Sequence, residues 1–212
     1  MIIAIDGPSA AGKSTMAKLL ARDLGIDYID TGAMYRAIAL KALRCETDTD
    51  DAKELEALLK NTAVDLAGSR ILLDGEDVSG VIRTEEISMA ASRISAIPAV
   101  RTKLVSLQRE IGMSKSVVMD GRDIGSNVFP NADYKFFVTA SPETRAERRR
   151  KELAEKGEDV RFESVLEDVK KRDWDDTNRA LNPLVQCKDA ILVETDNLSI
   201  EESLQLVKSY LQ

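Results

Sequence analysis

The sequence contains no histidine, and this absence narrows the chemistry that the chain can perform. Imidazole is the usual acid–base group near neutral pH and the commonest metal ligand in proteins. Proton transfer must therefore depend on carboxylates, lysine or water, or matter little to the reaction. The cysteines, Cys45 and Cys187, are too few for a disulfide framework or a zinc site.

Long apolar segments are also missing. No apolar run approaches the roughly 18 residues that a membrane-spanning helix needs. The N-terminal segment MIIAIDG lacks the basic region and long apolar stretch of a signal peptide. Hydrophobic residues make up 43% and charged residues 32% of the 212-residue chain, which is ordinary for a soluble globular protein. We therefore expect a soluble cytoplasmic protein of one domain, or one domain with an insert, and a monomer as the default state.

Positive charge is in the minority, because the formal net charge is −7. Long nucleic acid usually binds a basic surface, so it is not the expected partner. The cations are nonetheless clustered, most densely at Arg145, Arg148, Arg149, Arg150 and Lys151. This cluster favours a small polyanion in a local basic pocket, although a charged helix of this kind needs no function.

Short apolar runs alternate with helical patterns along most of the chain. The five runs interpreted as core strands are residues 2–5, 28–29, 117–119, 134–139 and 191–193. Strands that alternate with helices favour a parallel sheet covered on both faces, so we predict an α/β fold with a five-stranded parallel sheet flanked by helices. Active sites in such folds lie beyond the carboxyl ends of the strands, which directs attention to the loops there.

Residues 62–82 do not follow this rhythm. An alternating run and an apolar run flank the turn residues Gly68-Ser69, and Asp74-Gly75 follow as a second turn. Short runs separated by such turn residues indicate a small antiparallel hairpin region. We interpret this region as part of an insert in the parallel-sheet domain.

The segment GPSAAGKS, residues 7–14, matches the Walker A pattern at every fixed position. It also follows a predicted strand and opens a predicted helix, which is the context that confirms the pattern. Its glycines let the backbone turn several N–H groups toward phosphate oxygens, and the helix N-terminus adds a positive dipole end. Lys13 is expected to reach the β- and γ-phosphates of ATP, and Ser14 to ligate Mg²⁺. The predicted ATP-binding residues are Gly7, Pro8, Ser9, Ala10, Ala11, Gly12, Lys13, Ser14 and Thr15.

Three further segments place charged side chains in loops near the predicted P-loop. They are DTGAMYR at 30–36, MDGRDIG at 119–125 and RDWDDTNR at 172–179. Each contains an arginine, and a guanidinium fork suits phosphate because it can bind two oxygens at once. The spread of these arginines over several loops favours a site that closes around a phosphate.

Asp120 ends the third predicted core strand, where a P-loop protein is expected to carry its Walker B carboxylate near Mg²⁺. We predict that it orients Mg²⁺ directly or through water; the alternative is that it only caps the turn at Gly121. The chain lacks an Asn-Lys-x-Asp guanine-binding motif and is short for a motor ATPase. A small-molecule kinase is therefore the favoured class, and a non-enzymatic nucleotide-binding regulator is an alternative of a different kind.

Taken together, the motifs resemble those of one family. GPSAAGKST, DTGAMYR, VSGVIRTEEISMAASRISAIPAVR, VMDGRDIG and RDWDDTNRALNPLV are similar, in the same order, to motifs of the bacterial cytidylate kinase family. Walker A alone marks only the P-loop superfamily, whereas the other blocks together are much narrower. The resemblance implies a P-loop NTPase fold in one domain, with a core at 1–61 and 97–212, a monophosphate-binding insert at about 62–96 and a short lid at about 145–160.

The resemblance also implies a reaction, which is transfer of the γ-phosphoryl group of ATP to CMP or dCMP in pyrimidine nucleotide metabolism, with Mg²⁺. It assigns the acceptor phosphate to Thr31, Arg36, Arg122 and Arg179, cytosine to Ser92, Arg101 and Asp123, and the sugar to Arg172 and Asp176. Lid arginines would reach the transferring phosphate, and the implied catalytic residues are Lys13, Arg122, Arg179 and Arg148. The alternative is another P-loop kinase, of the adenylate or shikimate type.

The chemistry of the base agrees with two of these assignments. Cytosine offers an amino donor and a bare ring nitrogen, where uracil offers the opposite polarities. A carboxylate such as Asp123 can accept from the amino group, as carboxylates do in base-edge recognition, and Arg101 can donate to the ring nitrogen. Uracil would leave both protein groups mismatched, at about 1–3 kcal/mol for each buried group.

Overall fold

The structure is a computed structural model that describes residues 1–68 and 70–211. Ser69, the second residue of the predicted turn Gly68-Ser69, lies outside the described residues, as does Gln212. None of the helices within the described ranges is long and apolar enough to cross a membrane.

The chain divides into two compact units. The first, called the P-loop unit below, comprises Met1–Tyr28 and the chain from Ser116 onward. The second, called the inserted unit, comprises Ile29–Lys115. The predicted insert falls within the inserted unit and the predicted lid within the P-loop unit, and the boundaries of both remain predictions.

Strands and helices alternate along most of the chain, as the sequence pattern predicts. Within the described residues, the strands are β1 (Ile2–Asp6), β2 (Asp27–Asp30), β3 (Val64–Ala67), β4 (Arg70–Leu73), β5 (Glu76–Asp77), β6 (Val117–Gly121), β7 (Tyr134–Thr139) and β8 (Ile191–Glu194). The helices are α1 (Lys13–Leu24), α2 (Thr31–Arg44), α3 (Ala52–Lys60), α4 (Glu85–Ile94), α5 (Pro98–Ser114), α6 (Pro142–Glu155), α7 (Phe162–Asn178) and α8 (Ile200–Ser209).

The predicted five-stranded parallel sheet is confirmed. Its strands lie in the order β2-β6-β1-β7-β8, and β1 pairs in parallel with β6 on one side and with β7 on the other. β8 pairs in parallel with β7. The register places Asp6, the last residue of β1, beside Gly121, the last residue of β6. The loops that follow these two strands therefore leave the sheet side by side, where α/β folds place their ligands.

The core of the P-loop unit is formed by the sheet with helices α1 and α8. Side chains from these elements make one buried cluster, which includes Ile3, Ile5, Met16, Leu20, Phe136, Val138, Val193, Leu204 and Val207. Strands buried on both faces need such continuous apolar runs. Burial of this cluster fixes β1 and α1, and thereby both ends of the loop that joins them.

The inserted unit holds helices α2 to α5 and a sheet of order β3-β4-β5, which is antiparallel as predicted. The sequence indicated only a hairpin, and β5 was missed because its two residues are both exposed and acidic. Pairing with β4 after the turn at Asp74 makes it a strand. Ion pairs from Lys41 to Asp74 and from Arg44 to Glu76 join α2 to this small sheet.

Candidate active site

The P-loop connects β1 to α1 and has the backbone shape that phosphate binding needs. Gly7 packs so closely against β7 that a Cβ atom would lie 1.9 Å from the carbonyl oxygen of Val138, so only glycine fits. Ala10 and Gly12 have φ angles of 59° and 89°, and left-handed residues of this kind turn successive N–H groups toward one side. Gly12 is also the N-cap of α1 and has no side chain to occupy the first helical N–H groups. The loop therefore offers these groups to an anion.

Lys13 is buried at the start of α1, with 5% of its surface exposed. Its ammonium group donates a hydrogen bond of 2.5 Å to the carbonyl oxygen of Pro8, within the P-loop. Burial, together with the nearby Arg122, lowers the pKa of Lys13 to about 7, although Asp120 and Asp176 oppose the shift. A cation in such surroundings gains strongly from an added anion, because a buried charge is costly unless it is paired.

Asp120 lies at the end of β6 between two hydroxyl groups. Ser14 donates to its Oδ2 over 2.7 Å, and Tyr28 donates to its Oδ1 over 2.8 Å. Ser14 and Asp120 are therefore close enough to share one cation, and both offer the oxygen ligands that Mg²⁺ prefers. In the described ranges no group of three or more acidic or cysteine side chains could hold a metal. The pair fits an ion that keeps phosphate and water ligands.

Sequence reasoning did not single out Tyr28, although the structure places it at this site. The residue lies on β2, immediately before the IDTGAMYR segment. Its ring also lies 5.7 Å below the ammonium group of Lys18 on α1. The available signal was its position, because the carboxyl ends of β2 and β6 lie side by side in a parallel sheet.

Arg122 follows β6 and pairs with Asp176 of α7. Its Nε donates to Oδ2 of Asp176 over 2.6 Å, and its Nη1 donates to the carbonyl oxygen of Gly121 over 3.3 Å. Burial alone would raise the pKa of Asp176, but Arg122, Arg179 and Arg172 hold that pKa below its ordinary range. The pair is therefore ionised, and a phosphate oxygen could replace the carboxylate as the partner of Arg122.

Arg179 and Asp123 form a second buried pair close to the first. The Nη2 of Arg179 donates to Oδ1 of Asp123 over 3.0 Å, and its Nε donates to the carbonyl oxygen of Asn182 over 2.7 Å. Asn127 donates to the other oxygen of Asp123 over 3.0 Å. Within the P-loop unit, the structure thus brings together the predicted residues Lys13, Ser14, Asp120, Arg122, Asp123, Arg172, Asp176 and Arg179.

Two more predicted residues, Thr31 and Arg36, lie at the start of α2 in the inserted unit. Asp30 caps this helix by accepting from the backbone N–H of Ala33 over 2.8 Å, and it also accepts from Arg36 over 3.0 Å. Arg83, which the sequence motifs did not single out, donates to the same carboxylate over 3.3 Å. The Nε of Arg36 is buried and has no hydrogen-bond partner in the described part of the chain. An orphaned buried donor suits an added acceptor such as a phosphate oxygen.

Ser92 lies on α4 and Arg101 on α5 of the same unit. Arg101 is 4% exposed, and its Nη1 lies 3.3 Å from the hydroxyl of Tyr35 and 3.4 Å from the carbonyl oxygen of Ser95. The hydroxyl of Ser95 in turn donates to the carbonyl oxygen of Ser92 over 2.7 Å. The structure therefore places Arg101 beside Ser95, three residues after Ser92, and adds Tyr35, the aromatic residue of DTGAMYR, as a neighbour of Arg101.

The arginines of α6 are held by other protein groups. Arg145 is 3% exposed, and its two Nη atoms donate to Asp173 of α7 over 2.8 and 2.6 Å. Its Nη1 also reaches the carbonyl oxygen of Ser9 at 3.3 Å, so this side chain joins α7 to the P-loop. Arg148 donates from both Nη atoms to Thr195. The two arginines that follow pair with glutamates of their own helix. The predicted contact of Arg148 with the transferring phosphate remains a prediction.

An open cavity of about 740 Å³ lies beside α6. It is lined by Glu143, Thr144, Glu147, Arg148, Arg150, Lys151, Phe162 and Asp196. The hydroxyl of Thr195, the residue before Asp196, lies 3.3 Å from the carbonyl oxygen of Ala11. The wall of the cavity is therefore connected to the P-loop by a hydrogen bond.

Trp174, the only tryptophan of the chain, lies on α7 and is 66% exposed. Asp173, the residue before it, binds Arg145, and Asp176, two residues after it, binds Arg122. The indole thus lies on a helix that is joined by ion pairs to α6 and to the loop after β6.

Comparison with known proteins agrees with this geometry over the whole chain. The sequence model of the cytidylate kinase family matches residues 3–212. A protein named cytidylate kinase from Clostridioides difficile (strain 630) is 48% identical over 209 residues, which cover 99% of this chain and 97% of that protein. Another cytidylate kinase, from Caldanaerobacter subterraneus, is 52% identical over 205 residues, which cover 97% of this chain and 92% of that protein.

Solved structures with much lower identity share the fold. An uncharacterised protein from Eubacterium ventriosum superposes with a TM-score of 0.58 at 12% identity, over 100% of this chain and 98% of that chain. A shikimate kinase from Bacteroides thetaiotaomicron gives a TM-score of 0.51 at 14% identity, again over 100% and 98%. Identities this low establish the P-loop kinase fold alone, whereas the family match and the two close relatives establish more: the chain belongs to the cytidylate kinase family.

Proposed function

We propose that the chain transfers the γ-phosphoryl group of ATP to CMP or dCMP, giving ADP and CDP or dCDP. Membership of the cytidylate kinase family supports both the class of enzyme and the acceptor. The single structural observation that carries the proposal is the gathering of Lys13, Arg122 and Arg179 beside a P-loop that opens a helix with no side-chain cap at Gly12. Cations and N–H groups fixed in advance are what phosphoryl transfer requires, because charge is spread over the transferring oxygens.

ATP would bind to residues 7–15, with its β- and γ-phosphates on the loop and Lys13. The cavity beside α6 has the volume of a typical small-molecule site. Ser14 and Asp120 would hold Mg²⁺. When bound, this ion would supply positive charge that neutralises the phosphates of ATP.

CMP would be held by the residues that the family resemblance assigns. These are Thr31, Arg36, Ser92, Arg101, Arg122, Asp123, Arg172, Asp176 and Arg179. The orphaned Nε of Arg36 supports the phosphate assignment, because it is a buried donor in need of an acceptor. The fixed carboxylate of Asp123 supports the base assignment, because it can accept from the amino group of cytosine.

In the proposed reaction, an oxygen of the CMP phosphate attacks the γ-phosphorus in line. The bond between that phosphorus and the β–γ bridging oxygen breaks, and ADP leaves with the bridging oxygen. The transition state is loose, so the main tasks of Lys13, Arg122 and Arg179 are positioning and charge neutralisation. A phosphate monoester is already an anionic nucleophile, which explains how a chain without histidine can perform the step. Arg148 would take part only after leaving Thr195.

Measurement of ADP release against a panel of acceptors tests this function directly. ATP and Mg²⁺ are supplied with CMP, dCMP, UMP, AMP, dTMP, shikimate or no acceptor. We expect strong release with CMP and dCMP, weak release with UMP, and almost none without an acceptor, because closure around the substrates excludes water. A preference for another acceptor would overturn the base assignment, and equal release in every well would mean that the chain is an ATPase.

Asp120→Asn is expected to raise the Mg²⁺ concentration needed for half-maximal activity by about tenfold or more, because a charged oxygen ligand is replaced by a neutral amide. Calorimetric titration of ADP with and without Mg²⁺ measures the same effect without turnover. Asp23→Asn serves as the control, since Asp23 is a surface carboxylate on α1 that pairs with Lys208. An unchanged Mg²⁺ requirement in Asp120→Asn would leave that carboxylate as a cap for the turn at Gly121.

We further propose that the protein acts as a cytoplasmic monomer in pyrimidine nucleotide metabolism. The ordinary composition and the lack of a long apolar run in the sequence support this assignment. Light scattering at working concentration tests the monomer, and a mass of twice 23.4 kDa would overturn it.

A further inference from the structure

Asp6 is a buried carboxylate that the proposed reaction does not use. It is the last residue of β1, directly before the P-loop, and 6% of its surface is exposed. Burial raises the pKa of Asp6 to about 6, since desolvation outweighs the hydrogen bonds that it accepts. The titratable groups that face Asp6 from the packed elements are Lys13, Arg122, Asp123, Lys135 and Cys187. Burial of an ionised carboxylate is unfavourable, so packing alone does not explain why Asp6 stands at this position.

Both carboxylate oxygens of Asp6 accept hydrogen bonds from the loop that follows β6. Oδ1 accepts from the backbone N–H of Ile124 over 2.8 Å, and Oδ2 accepts from that of Gly125 over 2.7 Å. These two amides follow Asp123 directly and open the short π-helical turn at Ile124–Val128. The carboxylate therefore fixes the backbone immediately after the residue assigned to cytosine.

The side chain of Asp123 is fixed from the other direction. Arg179 and Asn127 occupy its two oxygens, each at 3.0 Å. The backbone beside Asp123 is thus held by Asp6 of β1. Its side chain is held by Arg179, which follows α7, and by Asn127 of the π-helical turn. The hydrogen bonds to Asp6 tie the backbone beside Asp123 to the start of the P-loop, because Asp6 is bonded to Gly7.

The chemistry of the contact requires a carboxylate. Two N–H donors converge on Asp6, and only an ionised carboxyl group offers two acceptor atoms and no donor. Asparagine has nearly the same shape but would direct its own NH₂ group at one of the two amides. The loop also has little room to adjust, because a Cβ atom on Gly125 would lie 3.1 Å from Cδ of Lys135 and 3.4 Å from Oδ2 of Asp6.

We infer that Asp6 is a positioning residue for acceptor selection, which holds the amides of Ile124 and Gly125 and thereby sets the place of Asp123 against the P-loop. The inference rests on the proposed function, because it concerns the choice between cytosine and uracil at Asp123. Asp6 is not among the residues that the family resemblance assigns to either substrate. Its loss is therefore expected to change selection of the acceptor much more than use of the donor.

The test compares Asp6→Asn with wild type in kcat/KM for CMP, kcat/KM for UMP and KM for ATP. We expect the ratio of CMP to UMP to fall by about tenfold or more, because displacement of a polar group by about 1 Å can change rates by up to a hundredfold. We expect KM for ATP to change by less than about threefold. Asp133→Asn is the matched control, since Asp133 accepts from the N–H of Ile2 over 2.6 Å at the other end of β1. It should leave the ratio unchanged even if it lowers the melting temperature.

Gly125→Ala provides a second variant that disturbs the same contact from the side of the loop, and it too should lower the ratio of CMP to UMP. An unchanged ratio in a folded Asp6→Asn or Gly125→Ala protein would overturn the inference. Equal losses for CMP, UMP and ATP would do the same, because they would indicate a general structural role. The wild-type measurement distinguishes failure of the inference about Asp6 from failure of the proposed function. If the wild-type protein shows no CMP-dependent ADP release, the proposed function itself is overturned.

Discussion

Lys13→Met is expected to lower turnover by on the order of a thousandfold and, at the same time, to stabilise the protein without nucleotide. Turnover falls because a charge aimed at the transferring phosphate is removed, and a single preorganised group of this kind supplies about 2.7–4 kcal/mol. Stability rises because Lys13 is a buried ammonium group whose pKa is lowered to about 7 by burial and by Arg122. Methionine fills nearly the same volume without that charge, and gains of about 1–2 kcal/mol are typical at such functional sites.

The stability gain should depend on pH in a definite direction. The pKa of Lys13 is 10.5 before burial and about 7 in the folded chain. Between these values the unfolded chain binds more protons at this site, so the stability of wild type should rise as pH increases. Lys13→Met lacks this dependence, and its advantage should be largest at pH 7 and below and shrink toward pH 10.

Chemical unfolding at pH 7 and at pH 9.5, together with ADP release, measures both parts of this prediction. Lys18→Met is the control, because Lys18 is an exposed lysine on the same helix. It should keep its turnover and show no such gain. A Lys13→Met protein that is less stable than wild type at pH 7, or whose gain is the same at both pH values, would contradict the electrostatic explanation. Retained turnover would remove Lys13 from the mechanism.

Asp123→Asn is expected to lower kcat/KM for CMP by about a hundredfold while leaving that for UMP nearly unchanged. The carboxylate is 6% exposed, so nothing from solvent can replace it as acceptor for the amino group of cytosine. The amide that replaces it can donate to the carbonyl group that uracil offers at the same position. A single correct base contact discriminates by about 1–3 kcal/mol, which at its upper end corresponds to about a hundredfold.

Steady-state kinetics with CMP, UMP and ATP as the varied substrates check this prediction. Asp175→Asn is the matched control, because it removes an exposed carboxylate from α7 in the same unit. The control should leave the preference for CMP as it is in wild type. If Asp123→Asn lowers the kcat/KM values for CMP and UMP by the same factor, the residue supports the loop and does not recognise the base.

Most of the fold could be predicted because its signals are local. The start of α2 illustrates this, since Asp30 precedes an apolar helical pattern and caps the helix through the N–H of Ala33. The strand β5 could not be predicted, because its residues Glu76 and Asp77 have low strand propensity. They become a strand only by pairing with β4, which is a contact made by tertiary structure.

The residues of the candidate site also divide into those with a local sequence signal and those that depend on tertiary contacts. The P-loop residues are adjacent in sequence, so their pattern predicts the site from Gly7 to Ser14. Pairings between distant residues leave no such pattern. Arg145 begins the predicted lid, and the sequence does not predict that its guanidinium group is bound by Asp173, which is 28 residues away. Nothing near Asp6 in the sequence distinguishes a carboxylate that holds a remote loop from any acidic residue at the end of a strand.

The exposed indole of Trp174 gives the molecule a built-in optical reporter. Because the chain has one tryptophan, its fluorescence comes from a single place on α7. Asp173 and Asp176 of the same helix are paired with arginines, so exchange of a carboxylate for a phosphate at Arg122 alters the charge on the helix that carries the indole. We therefore expect nucleotide binding at Arg122 to change this emission, which would report binding in the unlabelled protein without turnover and without a coupling enzyme.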